Sequence, residues 1–219
     1  MILSDNDIRE FIDSGDIAIS PFNGELEPAS YDLRVSKEGL SKDGAVNIEE
    51  KGYIKIPRGA TAVIYPLERI KLTTRVVARY GLRSRFARKG LILLSGPQID
   101  PGFEGTLSVT IFNAGTSEVT LQYQEKFATI EFFLLKTPAS KGYDGPYQRQ
   151  TKIGSDEIEL ITRKYKNFSE IEDVLTRSHA QLGIINIFIY VVLFGTIAGI
   201  VGGVIIVILA KLVELISKL

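Results

Sequence analysis

The segment RSRFARKGLILLSGPQIDPGFEGTLSVTIFN, residues 83–113, holds three patterns in succession. Arg83, Arg85 and Arg88 flank Ser84 and Phe86 and are followed by Gly90. Guanidinium forks match phosphate oxygens, and a serine hydroxyl adds a donor. Ile99-Asp100-Pro101-Gly102-Phe103-Glu104-Gly105 then reads as a tight turn set by Pro-Gly, carrying an acid and an aromatic. Asp100 suits the ordering of a water or a sugar hydroxyl, and Phe103 suits the covering of a base or sugar. Beyond the turn the chain alternates. Leu107, Val109 and Ile111 share one face of a strand, and Ser108 and Thr110 share the other. Taken alone, an Arg-rich strand also reads as solvated surface, and an Asp-Pro-Gly turn as a plain hairpin.

Outward from this segment the chain is a series of short apolar runs punctuated by Gly, Pro and Asn. They span residues 17–19, 31–35, 53–56, 61–65, 69–72, 76–80, 91–94, 105–113, 119–123 and 127–135. One helix precedes them. Ser4 caps it, Ile8, Phe11 and Ile12 line one face, and Gly15 ends it. Many short strands at close spacing with one short helix indicate an all-β barrel or jelly roll.

Composition narrows the chemistry. The 219 residues suffice for one good core and an appendage. Lys plus Arg is 26 and Asp plus Glu is 26, so the formal net charge is zero. A nucleic-acid-binding domain shows a basic excess, so no nucleic-acid partner is expected. There is no Cys, and the one His is His179, far from the motif region. This excludes disulfides and the zinc type of deaminase, which needs a His/Cys-ligated metal beside a Glu. The polar, acidic run Ser4–Asp7 argues against a signal peptide.

After Leu135 the composition shifts. Residues 137–154 are polar and Gly-containing and include Tyr147-Gln148-Arg149-Gln150. Residues 155–182 read as a charged helical linker, with Ile158, Ile161, Tyr165, Phe168, Ile171 and Leu175 at helical spacing. From Gly183 to Ala210 the chain is apolar apart from Asn186 and Thr196 and carries no charge. At 1.5 Å per residue it outruns a hydrocarbon core about 30 Å thick. One transmembrane helix over 183–213 is expected, with 214–219 as a tail. A hairpin of two spans turning near Gly202-Gly203 is the alternative. Gly195, Gly199 and Gly203 would let such helices pack closely. Arg163, Lys164, Lys166 and Arg177 precede the span, outnumbering Lys211 and Lys218 after it, which places the β domain (1–154) on the cytoplasmic side.

The ordered motifs resemble the superfamily of dCTP deaminases and trimeric dUTPases. Met1-Ile2-Leu3-Ser4-Asp5 is similar to the family's opening. Pro28-Ala29-Ser30-Tyr31-Asp32-Leu33-Arg34 is similar to its P-A-S-x-D-L-R. Residues 83–90 resemble its R-S-S-x-A-R-x-G, and residues 99–105 its I-D-P-G-F/W-x-G. The likeness runs to about Gln150, the first two-thirds of the chain. It implies a dUTPase-like distorted jelly roll and a homotrimer with pockets between subunits. It assigns phosphates to Arg83, Ser84, Arg85 and Arg88, with Arg85 in place of a second Ser. It assigns the nucleoside to Asp100, Phe103, Val109, Thr110 and Gln150, with a tail that folds over the ligand. The Lys expected shortly before Gln150 is Pro146.

The resemblance implies two chemistries. In a dUTPase the acid matching Asp100 holds the water that attacks the α-phosphate, and Mg²⁺ comes with the triphosphate rather than in a protein metal site. In a metal-free dCTP deaminase a strand Glu shuttles the proton at C4. Here that position is Thr110, within Val109-Thr110-Ile111, and the usual His-Arg of the pocket reads Pro97-Gln98. A threonine hydroxyl is too weak an acid to cycle a proton near neutral pH. Three readings follow: a membrane-anchored triphosphate hydrolase using Asp100, a non-catalytic nucleotide sensor signalling through its helix, or a dCTP deaminase with a displaced acid such as Glu104.

Overall fold

The expected runs become strands in the computed structural model, which describes residues 1–41, 43–151, 173–190, 192–194 and 210–211. Contacts divide the chain into two units, Met1–Ser169 and Glu170–Leu219. In chain order the first holds α1 (Asp5–Asp13), β1 (Ile17–Ser20), β2 (Tyr31–Ser41), β3 (Gly44–Asn47), α2 (Ile48–Lys51), β4 (Tyr53–Ile56), β5 (Thr61–Pro66) and β6 (Arg69–Leu72). Then follow β7 (Val76–Leu82), α3 (Ser84–Ala87), β8 (Leu91–Leu93), β9 (Gln98–Ile99), β10 (Glu104–Thr106), β11 (Val109–Asn113), β12 (Val119–Gln122) and β13 (Lys126–Leu134). Ser4 caps α1 as expected. Its hydroxyl accepts from the Asp7 amide, and the Asp7 carboxylate returns to the Ser4 amide at 2.9 Å.

Among the described residues every strand pair is antiparallel. The large sheet runs β8-β11-β5-β2-β13-β7-β9, with β3 added on β2. A small sheet runs β1-β6-β10, and β12 pairs with β4. The all-β expectation holds, with three corrections. The strand expected over 105–113 is two strands, broken at Leu107-Ser108. β10 pairs with β6 in the small sheet, whereas β11 pairs with β5 and β8 in the large one. The arginine segment is a helical turn, α3, and not a strand. Phe86 is fully buried and anchors it, so Ser84, Arg85 and Arg88 are turned to solvent. β2 runs on past Val35 to pair with β3, a four-residue strand too short to read as one.

Gly90 ends the α3 segment with φ +90°, and a Cβ there would collide with the backbone of Gly115. The Ala114 amide donates to Gly90 O at 2.9 Å, and Asn113 Oδ1 accepts from the Gly115 amide at 2.9 Å. Asn113 is fully buried. Its side-chain amide donates to Ile56 O and Ser117 O, joining β11 to β4.

The Tyr-Asp-Leu-Arg run lies at the centre of the large sheet, in β2. Glu68 is fully buried. Its carboxylate accepts from Arg34 Nε at 2.6 Å, from the Arg34 amide at 2.9 Å and from the Tyr31 hydroxyl at 3.3 Å. Burial, and then the Glu68 charge, push the Tyr31 phenol up to about 12. Asp32, also buried, accepts from Thr129 Oγ1 at 2.7 Å. Its other oxygen lies 3.0 Å from Arg83 Nη1, an ion pair without hydrogen-bond alignment.

In the second unit Asp173–Phe194 is a 22-residue helix, long and apolar enough by length and composition to cross a membrane. Residues 152–172 of the expected tail and linker lie outside the described residues. So does most of 195–213, including Gly195, Gly199 and Gly203.

Removing one partner of a buried ion pair leaves the other uncompensated, at a cost of about 3–5 kcal/mol. Glu68→Ala should therefore lower the urea midpoint of the β domain strongly, and Glu68→Gln by less, because an acceptor remains. An unchanged midpoint in Glu68→Ala would show that the pair contributes nothing.

Candidate functional site

The corner where the chain leaves the small sheet for the large one opens a cavity of about 520 Å³. The turn after β9, the Leu107-Ser108 break, β11, the end of β7 and the polar tail all line it. Each part has a local cause. Pro101-Gly102 makes the turn, with Gly102 at φ +80°, where glycine is favoured. The turn is closed by the Phe103 amide donating to Asp100 O at 3.1 Å. It is fixed to the end of β6 by Gly102 N to Thr73 O and by Leu72 N to Phe103 O.

Asp100 faces the cavity. Its Oδ1 accepts from Gln98 Nε2 at 2.7 Å, which leaves the second oxygen for a ligand or water. Phe103 lines the cavity while remaining nearly buried, its ring 5.9 Å from that of Tyr143. Thr110 faces the cavity from β11. Its neighbours Val109 and Ile111 are fully buried in the core, by the period-2 alternation of a strand. Val109, expected among the nucleoside contacts, is thus placed in the core.

Two hydroxyls behind Thr110 were not evident from sequence. Tyr80, at the end of β7, donates its phenol to Ser95 Oγ at 2.9 Å. Ser95 Oγ also accepts the Thr110 amide at 3.2 Å. Burial raises the Tyr80 pKa, so the phenol stays protonated. Ser95 follows an apolar run and carries no motif, so the sequence held no signal for it.

The tail closes the cavity. Gly142 crosses Gly102 so closely that a Cβ at Gly102 would lie 2.5 Å from Gly142 Cα. Gln148 then acts as a latch. Its Nε2 donates to Gly102 O and to Tyr143 O, both at 2.9 Å, and its Oε1 accepts from the Glu104 amide at 2.8 Å. Backbone bonds continue the seam, from Arg149 N to Glu104 O at 2.7 Å and from Thr106 N to Gln150 O at 2.9 Å. Gln150 and Tyr147 both line the cavity.

The arginine segment stands apart from the cavity of its own chain. None of residues 83–88 lines it. Arg83 pairs with Asp32, and Arg85 with Glu125 at 2.9 Å. Among the described residues Arg88 has no ion-pair partner, and Ser84 is exposed at the start of α3. Glu104, the displaced acid considered above, also lies off the cavity. Arg69 Nη2 donates to it at 2.7 Å, with Lys71 at 3.7 Å, and the Arg69 bond chiefly holds its carboxyl below the ordinary range. Among the described residues no group of three or more His, Cys, Asp or Glu side chains is placed to hold a metal ion.

Three hydrogen bonds converge on Gln148, each contributing about 0.5–1.5 kcal/mol. Gln148→Ala should free the tail. Hydrogen exchange at the Arg149 and Thr106 amides should rise by roughly tenfold or more, and trypsin should cut sooner at Arg149. Unchanged protection at both amides would assign the closure to the backbone seam alone.

Sequence comparisons identify one family, and a fold comparison finds the same architecture. The sequence profile described as DCD, dCTP deaminase-like, matches residues 2–135. A dCTP deaminase of Thermococcus sibiricus is 42% identical over 167 residues, covering 76% of this chain and 100% of the relative. A probable deoxyuridine 5'-triphosphate nucleotidohydrolase of Sulfolobus islandicus rod-shaped virus 1 is 35% identical over 162 residues, covering 70% of this chain and 96% of that one. The crystal structure of 2'-deoxycytidine 5'-triphosphate deaminase from Agrobacterium tumefaciens shares the fold, with a TM-score of 0.52 and 17% identity. That match covers 61% of this chain and 47% of that one, so the chain spans about half of the solved protein. The profile reaches across β1 to β13, and with it the turn, the arginine segment and the central Tyr-Asp-Leu-Arg strand fall at their expected places: the chain belongs to the dCTP deaminase-like family.

Proposed function

We propose that the cavity binds a pyrimidine deoxynucleoside triphosphate and that the protein hydrolyses it to the monophosphate and pyrophosphate. One observation carries this reading. Among the residues lining the cavity, Asp100 is the one carboxylate, and the strand position suited to a proton shuttle is Thr110. Asp100, steadied by Gln98, would order a water and take its proton as the oxygen attacks the α-phosphorus. The α–β bridging oxygen would leave with pyrophosphate. That step needs one base and no acid at the ring, whereas deamination needs a group that both takes and returns a proton at C4. Glu104 is a poor substitute, because Arg69 and Lys71 engage it away from the cavity. Relatives named dCTP deaminase favour the second reading, deamination, and the assay below separates the two.

Phosphates would meet Ser84 and Arg88, with the remaining donors of Arg83 and Arg85. Because this segment does not line its own chain's cavity, it would meet the cavity of a neighbouring copy in a homotrimer. Magnesium would arrive on the phosphate oxygens, where it would neutralise charge on the leaving pyrophosphate.

The test is release of pyrophosphate from dUTP and of ammonia from dCTP. Pyrophosphate is expected without ammonia. Asp100→Asn should lower turnover by about 10²–10⁴-fold, the usual worth of a general base. Arg88→Ala should be inactive by itself, and mixing it with Asp100→Asn should restore part of the activity, since some pockets then combine two intact halves. Ammonia from dCTP would establish deamination instead. Binding without either product would establish a sensor.

We further propose that the segment from residue 183 anchors the protein in a membrane, with the β domain on the cytoplasmic side. Its apolar run and the length of the Asp173–Phe194 helix support this. The protein should stay in the membrane pellet after an alkaline carbonate wash, and should be released once truncated before residue 170. Full release of the intact chain by carbonate would remove the anchor.

A further inference from the structure

Ser95 is a hydroxyl of the cavity whose two lone pairs are both engaged by the fold. A serine hydroxyl has two lone pairs and one proton. Tyr80 fills one lone pair from 2.9 Å, and the Thr110 amide fills the other from 3.2 Å. Its proton alone remains, and Ser95 lines the cavity. The hydroxyls of Ser108 and Thr110 also line it, but free rotors accept or donate as the ligand requires and so discriminate little. The direction of the Tyr80–Ser95 bond follows from acidity, because a phenol is the stronger donor and an aliphatic oxygen the better acceptor.

We propose that Ser95 is a specificity residue. As a fixed donor it selects a base presenting a carbonyl at C4, as in uracil, over one presenting an amine, as in cytosine. The C4 substituent lies across the pyrimidine ring from the glycosidic nitrogen, so it reaches the cavity wall farthest from the sugar. With C4 set against Ser95, a carbonyl completes the Tyr80–Ser95 chain. An amine brings a second donor against the first and leaves both unsatisfied. Such mismatches are the strong form of discrimination, because the polar groups of the site are left unpaired. This inference rests on the nucleotide-binding reading and gives it a preferred substrate.

The experiment is a calorimetric titration of the full chain with α,β-imido dUTP and α,β-imido dCTP, whose phosphate chains are not cleaved, with the dCTP analogue checked for released ammonia. Wild type should bind the uracil analogue about tenfold to a hundredfold more tightly, the worth of one satisfied against one unsatisfied buried donor. Ser95→Ala should bring the ratio close to one, mainly by weakening the uracil analogue. Tyr80→Phe should narrow it from the other side, because a freed lone pair on Ser95 can then accept the cytosine amine. A purely structural lesion would weaken both analogues alike. Equal binding by wild type, a cytosine preference, or a ratio that survives Ser95→Ala would overturn the role of Ser95 while leaving nucleotide binding intact. Failure of wild type to bind either analogue would overturn both. Should Ser95→Ala fail to fold, the wild-type ratio and Tyr80→Phe still decide.

Discussion

Charge buried in the middle of a sheet is the constraint around which the domain is arranged. β2 carries Asp32 and Arg34 on a strand flanked by β5 and β13, where bare charges are costly. Each is answered by a group from elsewhere in the chain. Glu68 comes from the turn between β5 and β6, and Arg83 from the start of α3. Meeting Arg34 thus fixes the turn that launches the small sheet, and meeting Asp32 fixes the root of the arginine segment. Such pairs are weak evidence for stability, but they define register and placement well, because a misplaced partner strands a charge. Two charged side chains on one strand therefore position both the sheet that carries the turn and the helix that carries Ser84 and Arg88.

The cavity is a by-product of sheet switching. A continuous strand from Glu104 to Asn113 would have filled that corner with its own side chains. Instead β10 stays with β6, β11 joins β5 and β8, and Leu107-Ser108 spans the gap. The exposed backbone at such a break must be covered or left to solvent. The tail reaches its near edge, where Gln150 O accepts the Thr106 amide, and Gln148 fixes the tail by using its amide on the backbone of the turn and tail. The roof is therefore held by the chain itself and does not depend on a bound molecule for its hydrogen bonds.

Most of the strands were legible because apolar alternation and Gly/Pro punctuation survive in single segments. Asp100 and Phe103 were legible because a Pro-Gly turn carries its own geometry. What escaped depends on long-range partners. β3 and β9 are strands because β2 and β7 present edges to them, and nothing in Gly44–Asn47 or Gln98-Ile99 announces this. The arginine segment looked like a strand from its charges, yet Phe86 decides the matter by burying itself and closing a helical turn. Val109 and Thr110 could be set on opposite faces from sequence, but which face meets the cavity required the fold. Ser95 and Gln148 acquire their roles from partners 15 and 46 residues away, which no local pattern encodes.

The contact between Gly90 and Gly115 has a consequence for how the domain tolerates change. Two partly buried loops meet there, chiefly backbone against backbone. A flexible side chain can absorb a misfit, but two peptide planes cannot, so the joint behaves as a rigid weld. The β11–β12 loop would ordinarily be a convenient place for an affinity tag, a fluorophore or an inserted domain. In this protein a graft at Gly115 would be transmitted to Gly90 and hence to Arg88, so the loop is mechanically part of the arginine helix that it touches. Insertions are better borne near Gly24, where the backbone faces open space.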